Sequence, residues 1–297
     1  MTRLTQDDIK NIPEMLKAYD DTLIGLTGLG LAGIACQTYG LNESVFQEVA
    51  AITRVGIIPI TWGQGMIPGF SETVRSIVEH LGFTAFVTHE TDVAGLAETA
   101  VRGADMILLS DDDNFQAIHL KAGISVHNSA ATGRVFAAGL DLMAQGIKGE
   151  KALVVGCGPV GLKAGQELLQ RGARLAMVDV DMEKARHAAQ TLTRQFNRAV
   201  DVEKDMDQAL MECGYILDAS PAAGIMDVQH VEGNTLISAP GVPLGLTPQA
   251  AQSAPGRLLH DTLQLGVAAM MAGVVKGQRT EDSVPEAGKN QSPKHEI

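Results

Sequence analysis

Short apolar runs alternate with amphipathic helical patterns along most of this chain. Residues 1–54 show the apolar spacing of helices. The strands predicted after them are 55–60, 83–88, 106–109 and 124–126, with helices at 71–81 and 93–102 between them. Strands that alternate with helices of this length are typical of a parallel sheet covered by helices. The first half therefore predicts a helical segment followed by a small α/β unit.

A second α/β series follows a long helical pattern at 130–146, which we interpret as a connector. Its predicted strands are 152–155, 175–178, 215–219, 235–238 and 258–260, and its later helices are 182–195, 206–213 and 263–275. From Lys276 onward large apolar residues almost vanish, a composition typical of disorder. The predicted parts are a first α/β domain at 1–129, a connector, second α/β domain and closing helix at 130–275, and a disordered tail at 276–297.

The loop after the first strand of the second series carries Gly156, Gly158 and Gly161 in the spacing G-x-G-x-x-G. In a dinucleotide-binding βαβ unit, the first glycine permits a tight turn and the second admits the pyrophosphate. The third lets the helix pack against the strand. Pro159 and Val160 would begin that helix, whose N-terminal amides and dipole favour phosphate. With an apolar strand on each side, the segment predicts a Rossmann domain that binds NAD.

Asp179 ends the next predicted strand, roughly 20 residues beyond the first glycine, where an acid commonly accepts a hydrogen bond from a ribose 2′-hydroxyl. An acid at this position also repels the 2′-phosphate of NADP. The residues that follow, Val180 to Met182, supply no cation to bind such a phosphate. NAD is therefore the predicted cofactor. A simpler role for Asp179, as the cap of the following helix, stays open.

The overall composition narrows the class of protein. The formal net charge is −12, which disfavours binding to nucleic acid or to anionic membrane surfaces. The three cysteines are too few and too widely spaced for a disulfide framework or a zinc site. The N-terminus is too acidic for a targeting peptide, and no apolar run approaches the roughly 18 residues that span a bilayer. We expect a cytoplasmic protein that acts on a small-molecule substrate. Its oligomeric state stays open, with a homodimer as one alternative.

Acidic residues cluster at a predicted strand end in the segment Ser110–Asn114, with the sequence SDDDN. Ligands of open α/β sheets bind beyond the carboxyl ends of the strands, so Asp111 and Asp112 would face a cleft. Carboxylates there suit an ammonium-bearing substrate, and crowding of like charges raises the pKa of one of them toward that of a base. The simpler interpretation is a solvated turn and helix cap. No metal is predicted, because no spacing supports His119 or His127 as a ligand.

Other polar residues fall at further predicted strand ends of the first domain. Thr61 and Trp62 lie in the glycine-rich loop TWGQG, where a Trp forms either a substrate wall or a hydrophobic plug. Asn128 follows the fourth strand and is a candidate substrate contact. Ser129 beside it is a candidate N-cap of the connector helix.

The late strand ends of the second series carry Ser220, Pro240 and Asp261. Loops in these positions of a Rossmann domain commonly border the nicotinamide, so Ser220 and Pro240 are candidate cofactor contacts; the simpler interpretation is a plain turn. If the closing helix begins in the cleft between the two domains, Asp261 lies near the site of hydride transfer.

Six segments of the chain carry a more specific pattern. They are GIIPITWGQGMIPGFSETV, ADMILLSDDDNFQAIH, VHNSAATGRVFAAG, VVGCGPVG, ISAPGVPLGLT and LLHDTLQLGVAAMM. Taken in this order, they resemble the pyrrolysine synthase family, the NAD-dependent dehydrogenases of the last step of pyrrolysine biosynthesis. The resemblance covers about residues 1–275, and the segments outside the glycine loop make it specific, because that loop is shared by many families.

The resemblance implies a particular reaction and particular residue roles. The substrate would be L-lysine acylated at its side-chain nitrogen by 3-methyl-D-ornithine. Its terminal amine would be oxidised by NAD⁺, with ammonia release and ring closure to pyrrolysine. By motif position, Asp111 or Asp112 would hold the substrate amine and Asn128 would contact the substrate. Asp261 would hold or deprotonate the reacting ammonium, and the N-terminal helix would fold over the substrate.

Two positions depart from the archaeal pattern of the family. Trp62, beside Thr61 in the substrate loop, stands where a small hydroxyl residue is expected, and Asp261 stands where Glu is expected. The alternative that the chain is a relative acting on another diamine-derived substrate therefore stays open. So does a dehydrogenase of the amino-acid, shikimate or methylenetetrahydrofolate type, which would be expected to carry lysines at strand ends where this chain has acids. A non-catalytic NAD-binding protein is the remaining alternative.

Overall fold

The computed structural model describes residues 4–282. The helices are α1 (Gln6–Ile9), α2 (Ile12–Thr27), α3 (Leu31–Thr38), α4 (Glu43–Ile52), α5 (Phe70–His80), α6 (Asp92–Val101), α7 (Asn128–Met143), α8 (Pro159–Gln170), α9 (Met182–Phe196), α10 (Met206–Glu212), α11 (Pro248–Ser253) and α12 (Gln264–Asp282). The strands are β1 (Arg54–Ile58), β2 (Thr84–Val87), β3 (Met106–Ser110), β4 (Phe115–His119), β5 (Ile124–His127), β6 (Lys151–Val155), β7 (Arg174–Val178), β8 (Val200–Val202), β9 (Tyr215–Asp218), β10 (Leu236–Ala239) and β11 (Leu258–His260). The predicted order of helices followed by two α/β series is confirmed.

The first sheet has five strands in the order β2-β1-β3-β4-β5. Strand β1 pairs in parallel with β2 and β3, whereas β4 runs antiparallel to both β3 and β5. The prediction of a purely parallel sheet is therefore wrong at this edge. The sequence pattern misses β4 because its five residues alternate buried and half-buried positions instead of forming an apolar run.

The second sheet is a parallel Rossmann sheet. Its six strands lie in the order β11-β10-β9-β6-β7-β8, with the direction of progression reversing between β6 and β9. The predicted Rossmann fold is confirmed, although the short edge strand β8 has no clear sequence pattern. Because the strands are parallel, the segments that follow β6, β9, β10 and β11 all emerge at one edge of the sheet. This edge carries the glycine loop.

The connector α7 begins at Asn128, two residues before the predicted start, so the predicted domain boundary at 129/130 falls in its first turn. Its N-cap is His127, whose Nδ1 accepts a hydrogen bond of 3.1 Å from the backbone amide of Ser129. The prediction of Ser129 as the N-cap is therefore wrong, because an imidazole nitrogen supplies the acceptor. Helix α7 packs closely against α8, since a Cβ at Gly133 would meet the carbonyl oxygen of Val160.

The closing helix α12 crosses back to the first sheet and continues farther than predicted. Its Gly273 lies against the ring of Tyr39, and its Gly277 lies against the side chain of Ile124. The predicted start of the disordered tail at 276 is wrong, because the helix runs to Asp282. Lys, Gln, Arg and Glu in this stretch favour helix, and a glycine fits the close approach to β5. The rest of the predicted tail, 283–297, lies outside the described residues.

The buried apolar side chains form two clusters. The larger extends from the N-terminal helices through the first sheet to α7, α8 and α12, and the smaller covers the opposite face of the second sheet. Removal of this apolar surface from water is the main stabilising contribution to the fold. Between residues 4 and 282, no helix is both long and apolar enough to span a bilayer.

Candidate active site

Two glycines of the loop after β6 are required by the backbone itself. Gly156 has a φ of +87°, a conformation that side chains other than glycine rarely adopt. A Cβ on Gly156 would lie 2.8 Å from the backbone nitrogen of Ser220. A Cβ on Gly161 would meet the carbonyl oxygen of Gly156. These contacts place the start of α8 directly on the end of β6, as the glycine spacing predicts.

Gly158 has a different role, because open space lies beside it. No described atom lies within 4 Å of the position that its Cβ would occupy. Gly158 is the N-cap of α8, Pro159 is at the first turn, and no described side chain caps the helix. The first amides of α8 therefore face a cradle that suits a pyrophosphate. The residues present fit the dinucleotide that the sequence predicts.

Asp179 follows β7 and is tied to the glycine loop. Its Oδ2 accepts a hydrogen bond of 2.7 Å from the amide of Cys157, and its Oδ1 accepts one of 2.9 Å from the amide of Asp181. The cap of α9 is Asp181, which accepts hydrogen bonds from the amides of Glu183 and Lys184. The alternative in which Asp179 is only that helix cap is therefore wrong. Asp179 stays at the position expected for the ribose contact.

The next strand end at this edge carries a buried acid that the sequence analysis does not single out. Asp218, the last residue of β9, is 0% exposed, and its Oδ1 accepts hydrogen bonds from the amide and the hydroxyl of Ser220. Burial raises the pKa of Asp218, an effect opposed by the Ser220 hydrogen bonds and by the charge of His260. Asp218 is the last residue of an apolar strand. The rule that ligands bind beyond the carboxyl ends of parallel strands, which singled out the other acids, would also have singled out Asp218.

Ser220 and Pro240 lie beside each other in the backbone that borders this edge. A Cβ on Gly241, the residue after Pro240, would meet the carbonyl oxygen of Ser220. Nδ1 of His260 lies 2.7 Å from the carbonyl oxygen of Ala239 and so ties the end of β11 to the end of β10. The cofactor assignments of Ser220 and Pro240 stay predictions, but both residues are at the same edge as the glycine loop.

Asp261 comes directly after β11, at the same edge, and is 7% exposed. Its Oδ2 accepts a hydrogen bond of 2.6 Å from the Tyr19 hydroxyl and one of 3.0 Å from the amide of Leu265. Burial raises the pKa of Asp261, and the hydrogen bonds from Tyr19 and Leu265 oppose that rise. A carboxylate with a raised pKa and an ordered set of partners is suited to accept a proton.

Asn128 is buried against the first turns of α12, close to Asp261 in the fold. Its Nδ2 lies 3.4 Å from Sδ of Met270, and its Oδ1 accepts a hydrogen bond of 3.4 Å from the Thr132 hydroxyl. A Cβ on Gly266 would lie 2.9 Å from the Asn128 Nδ2. The structure thus brings Asn128 and Asp261 to the N-terminal end of α12, from strand ends of two different sheets.

The SDDDN segment is the turn between β3 and β4. Oδ1 of Asp111 accepts hydrogen bonds from the amides of Asp113 and Asn114, which close the turn. Asp112 instead reaches the TWGQG loop, where its Oδ2 accepts a hydrogen bond of 2.6 Å from the amide of Gln64. A Cβ on Gly63 would meet the same Asp112 carboxylate. Asp111 therefore has a structural role in the turn, and Asp112 joins two predicted substrate segments.

The remaining predicted substrate residues lie in the TWGQG loop. The amide and hydroxyl of Thr61 donate hydrogen bonds of 2.8 and 2.6 Å to the Asp92 carboxylate, which fixes the start of the loop. Trp62 is 61% exposed, so it is not a hydrophobic plug. The substrate roles of Thr61 and Trp62 stay predictions.

The candidate residues thus form three groups: the glycine loop with Asp179, the Asp261 group with Asn128, and the Asp112 group with the TWGQG loop. Both described hydrogen bonds of Asp261 come from Tyr19 and Leu265, so none joins it to Asp111 or Asp112. Tyr19 has no signal in the sequence, because its partner is 242 residues away. In the part of the chain that the structure describes, no three His, Cys, Asp or Glu residues are grouped to hold a metal ion.

The fold is shared with known dehydrogenases. Quinate dehydrogenase from Corynebacterium glutamicum in complex with NAD aligns with a TM-score of 0.52 at 14% identity, covering 78% of this chain and 99% of that one. A shikimate dehydrogenase in complex with NADP⁺ aligns with a TM-score of 0.51 at 14% identity, covering 76% and 89%. The fold and the glycine loop together define a dinucleotide-binding fold of the Rossmann class.

The sequence comparisons give the family. A family model described as pyrrolysine biosynthesis protein PylD, N-terminal domain, matches residues 8–126. The pyrrolysine synthase of Methanosarcina barkeri is 30% identical over 277 residues, which cover 93% of this chain and 98% of that protein. The chain belongs to the pyrrolysine synthase family.

Proposed function

We propose that this chain is an NAD-dependent amine dehydrogenase. Its substrate is L-lysine-Nε-3-methyl-D-ornithine, whose terminal amine it oxidises with release of ammonia and ring closure to pyrrolysine. The observation that carries the proposal is the buried carboxylate of Asp261 at the same sheet edge as the glycine loop. The family membership and the dehydrogenase fold support it.

A proton acceptor is needed before the oxidation. Carbon gives up a hydride only when the nitrogen that it bears is a neutral amine with a free electron pair, so the substrate ammonium must first lose a proton. Asp261 accepts that proton. Its raised pKa makes it a better base than an exposed aspartate, and its burial limits access of water to the product imine.

The chemistry that NAD⁺ would supply when bound is acceptance of a hydride from the carbon that bears the amine. Gly156, Gly158 and Gly161 would give the pyrophosphate access to the α8 amides, and Asp179 would bind the ribose and disfavour NADP. The substrate carbon left as an imine is then attacked by the α-amine of the same ornithine unit, which expels ammonia and closes the ring. Asp112 and Asn128 hold the substrate during these steps.

The direct test is incubation of the purified protein with NAD⁺ and the synthetic lysine–methylornithine compound. NADH should form, and the product mass should be lower than the substrate mass by ammonia and two hydrogens. Asp261→Asn and Asp112→Asn should each lower kcat/KM by at least about tenfold, since each removes a charged hydrogen bond. NADH affinity should hardly change in either variant.

Asp201→Asn is a matched control, because Asp201 is an exposed carboxylate on the edge strand β8. It should turn over like the wild type. Full activity of both Asp261→Asn and Asp112→Asn would remove the proposed roles of these acids. Absence of turnover with intact NADH binding in the wild type would instead favour a non-catalytic NAD-binding protein.

A second candidate function is oxidation of a different amine of similar size. The exposed Trp62 supports this candidate, because an indole at the mouth of the substrate loop changes the shape of the pocket. A panel of lysine isopeptides with ornithine, lysine and methylornithine in the acyl position would separate the two functions by their kcat/KM values.

A further inference from the structure

The hydrogen bonds of Asp261 are distributed unequally between its two oxygens. The Tyr19 hydroxyl and the Leu265 amide both donate to Oδ2, at 2.6 and 3.0 Å. The hydrogen bonds described for Asp261 thus converge on Oδ2. This arrangement fixes the orientation of the carboxylate within a largely buried site.

Tyr19 is itself fixed by the helix that carries it. The neighbouring residue Asp20 accepts a hydrogen bond of 2.5 Å from the amide of Leu31, and its other oxygen lies 2.5 Å from Nε2 of His80 on α5. In addition, the Thr262 hydroxyl donates a hydrogen bond of 3.2 Å to the carbonyl oxygen of Asp8. The N-terminal helices are thus attached on both sides of the Tyr19 contact.

The Tyr19 phenol is a donor under all ordinary conditions. Burial raises its pKa well above the usual value, and the negative charge of Asp261 raises it further. A protonated phenol beside a carboxylate stabilises the ionised carboxylate. It also restricts rotation of the Asp261 side chain, because a short hydrogen bond to Oδ2 is lost when the carboxylate turns.

We propose that Tyr19 is a positioning residue for the deprotonation step: its phenol holds Oδ2 of Asp261 and so orients the carboxylate that accepts the proton of the substrate ammonium. This inference rests on the proposed function, in which Asp261 is the base. The proton passes from the substrate nitrogen to the Asp261 carboxylate, and the Tyr19 proton stays on the phenol.

The test is the pH dependence of kcat/KM in Tyr19→Phe, which removes only the hydroxyl. The acidic limb of the profile should move to higher pH by about one unit, because the ionised carboxylate loses a charged hydrogen bond. At a pH below the wild-type limb, kcat/KM should fall by about tenfold, whereas NADH affinity should stay the same. An unmoved acidic limb would overturn the proposal.

Tyr39→Phe is the matched control. Tyr39 is also packed against α12, where it contacts Gly273 and lies 5.7 Å from the Arg134 guanidinium, but it does not contact Asp261. If a tyrosine packed against α12 had only a structural role, its replacement by Phe would lower the melting temperature and leave the acidic limb where it is. This holds for either variant. Only the loss of the Tyr19 hydroxyl should move that limb.

A second measurement covers the case in which Tyr19→Phe does not fold. Incorporation of 3-fluorotyrosine into a Tyr39→Phe, Tyr215→Phe background places the more acidic phenol at position 19 alone, since the chain has three tyrosines. The stronger donor should move the acidic limb to lower pH, and no movement would count against the proposal. Full activity of Asp261→Asn would instead refute the base itself, so the two failures are distinguishable.

Discussion

Oδ2 of Asp179 accepts a hydrogen bond of 2.7 Å from the backbone amide of Cys157, so the acid that follows β7 forms part of the glycine loop. Its other oxygen is held by the amide of Asp181 at 2.9 Å. A substitution of Asp179 would therefore disturb the loop as well as the ribose contact. The neighbouring Val180 is 97% exposed and offers a cleaner position for testing cofactor choice.

Val180→Arg should shift the preference from NADH toward NADPH. A guanidinium at this exposed position can bind the 2′-phosphate by a charged hydrogen bond, which corresponds to about tenfold in the ratio of the two dissociation constants. The melting temperature should not change. Isothermal titration with both cofactors measures the ratio, and Val180→Gln controls for side-chain size. If the wild type bound NADPH as well as NADH, the role assigned to Asp179 would be wrong.

Gly158→Ala should separate cofactor binding from folding. The added methyl group meets no protein atom within 4 Å, but it enters the space assigned to the pyrophosphate. We expect NADH affinity to fall by at least about tenfold with an unchanged melting temperature. Gly214→Ala is the control, because its Cβ also meets nothing and it lies before β9, at the opposite edge of the sheet. Equal NADH binding by both variants would contradict the placement of the pyrophosphate.

Asp218→Asn should change how stability depends on pH. Burial raises the pKa of Asp218, so the folded protein keeps its proton at pH values where the unfolded chain, with a pKa near 3.8, has lost it. Its contribution to the free energy of unfolding therefore decreases as the pH rises from the unfolded pKa to the folded one. Relative to Asp218→Asn, the wild type should lose stability as the pH rises above the unfolded-state pKa toward the raised pKa of the folded state. Urea unfolding at several pH values checks this, and a constant difference would contradict it.

The last turns of α12 should contribute to stability. Gly277 packs on Ile124 and the Lys276 ammonium lies 3.5 Å from the carbonyl oxygen of Gly40. A chain that ends at Val275 should melt several degrees below one that ends at Asp282, since about 1 kcal/mol corresponds to roughly 2–4 °C in a protein of this size. Differential scanning calorimetry compares the two. Equal melting temperatures would show that the helix needs no residue beyond Val275.

The second sheet was predictable except for β8, because its other strands are apolar runs and its glycine spacing fixes the first βαβ unit. Strand β4 was not, since its alternating pattern follows an acidic turn that also suits a loop. Because β4 was missed, the strand that ends in SDDDN was interpreted as the end of a parallel strand facing a cleft. Antiparallel pairing instead makes Asp111 the residue that closes a hairpin turn.

The candidate site was predictable where residues follow strands of one sheet. Asp261 and Asp179 were predicted by that rule, and Asp218 could have been. Tyr19 could not, because its role depends on the approach of α2 to the residue after β11, which no local pattern encodes. The last turns of α12 could not be predicted either. Their polar composition predicts disorder unless a packing partner is known.

The contact between Tyr19 and Asp261 joins an early and a late part of the chain. During synthesis, Tyr19 leaves the ribosome long before Asp261, and the glycine loop is complete before β11 exists. The dinucleotide loop can therefore assemble while the protein is still being made, whereas the proton acceptor obtains its phenol partner only after β11 has been made. A polypeptide interrupted before the end of β11 would contain the whole loop and no Asp261, so translation itself sets the order in which the two halves of the site are completed.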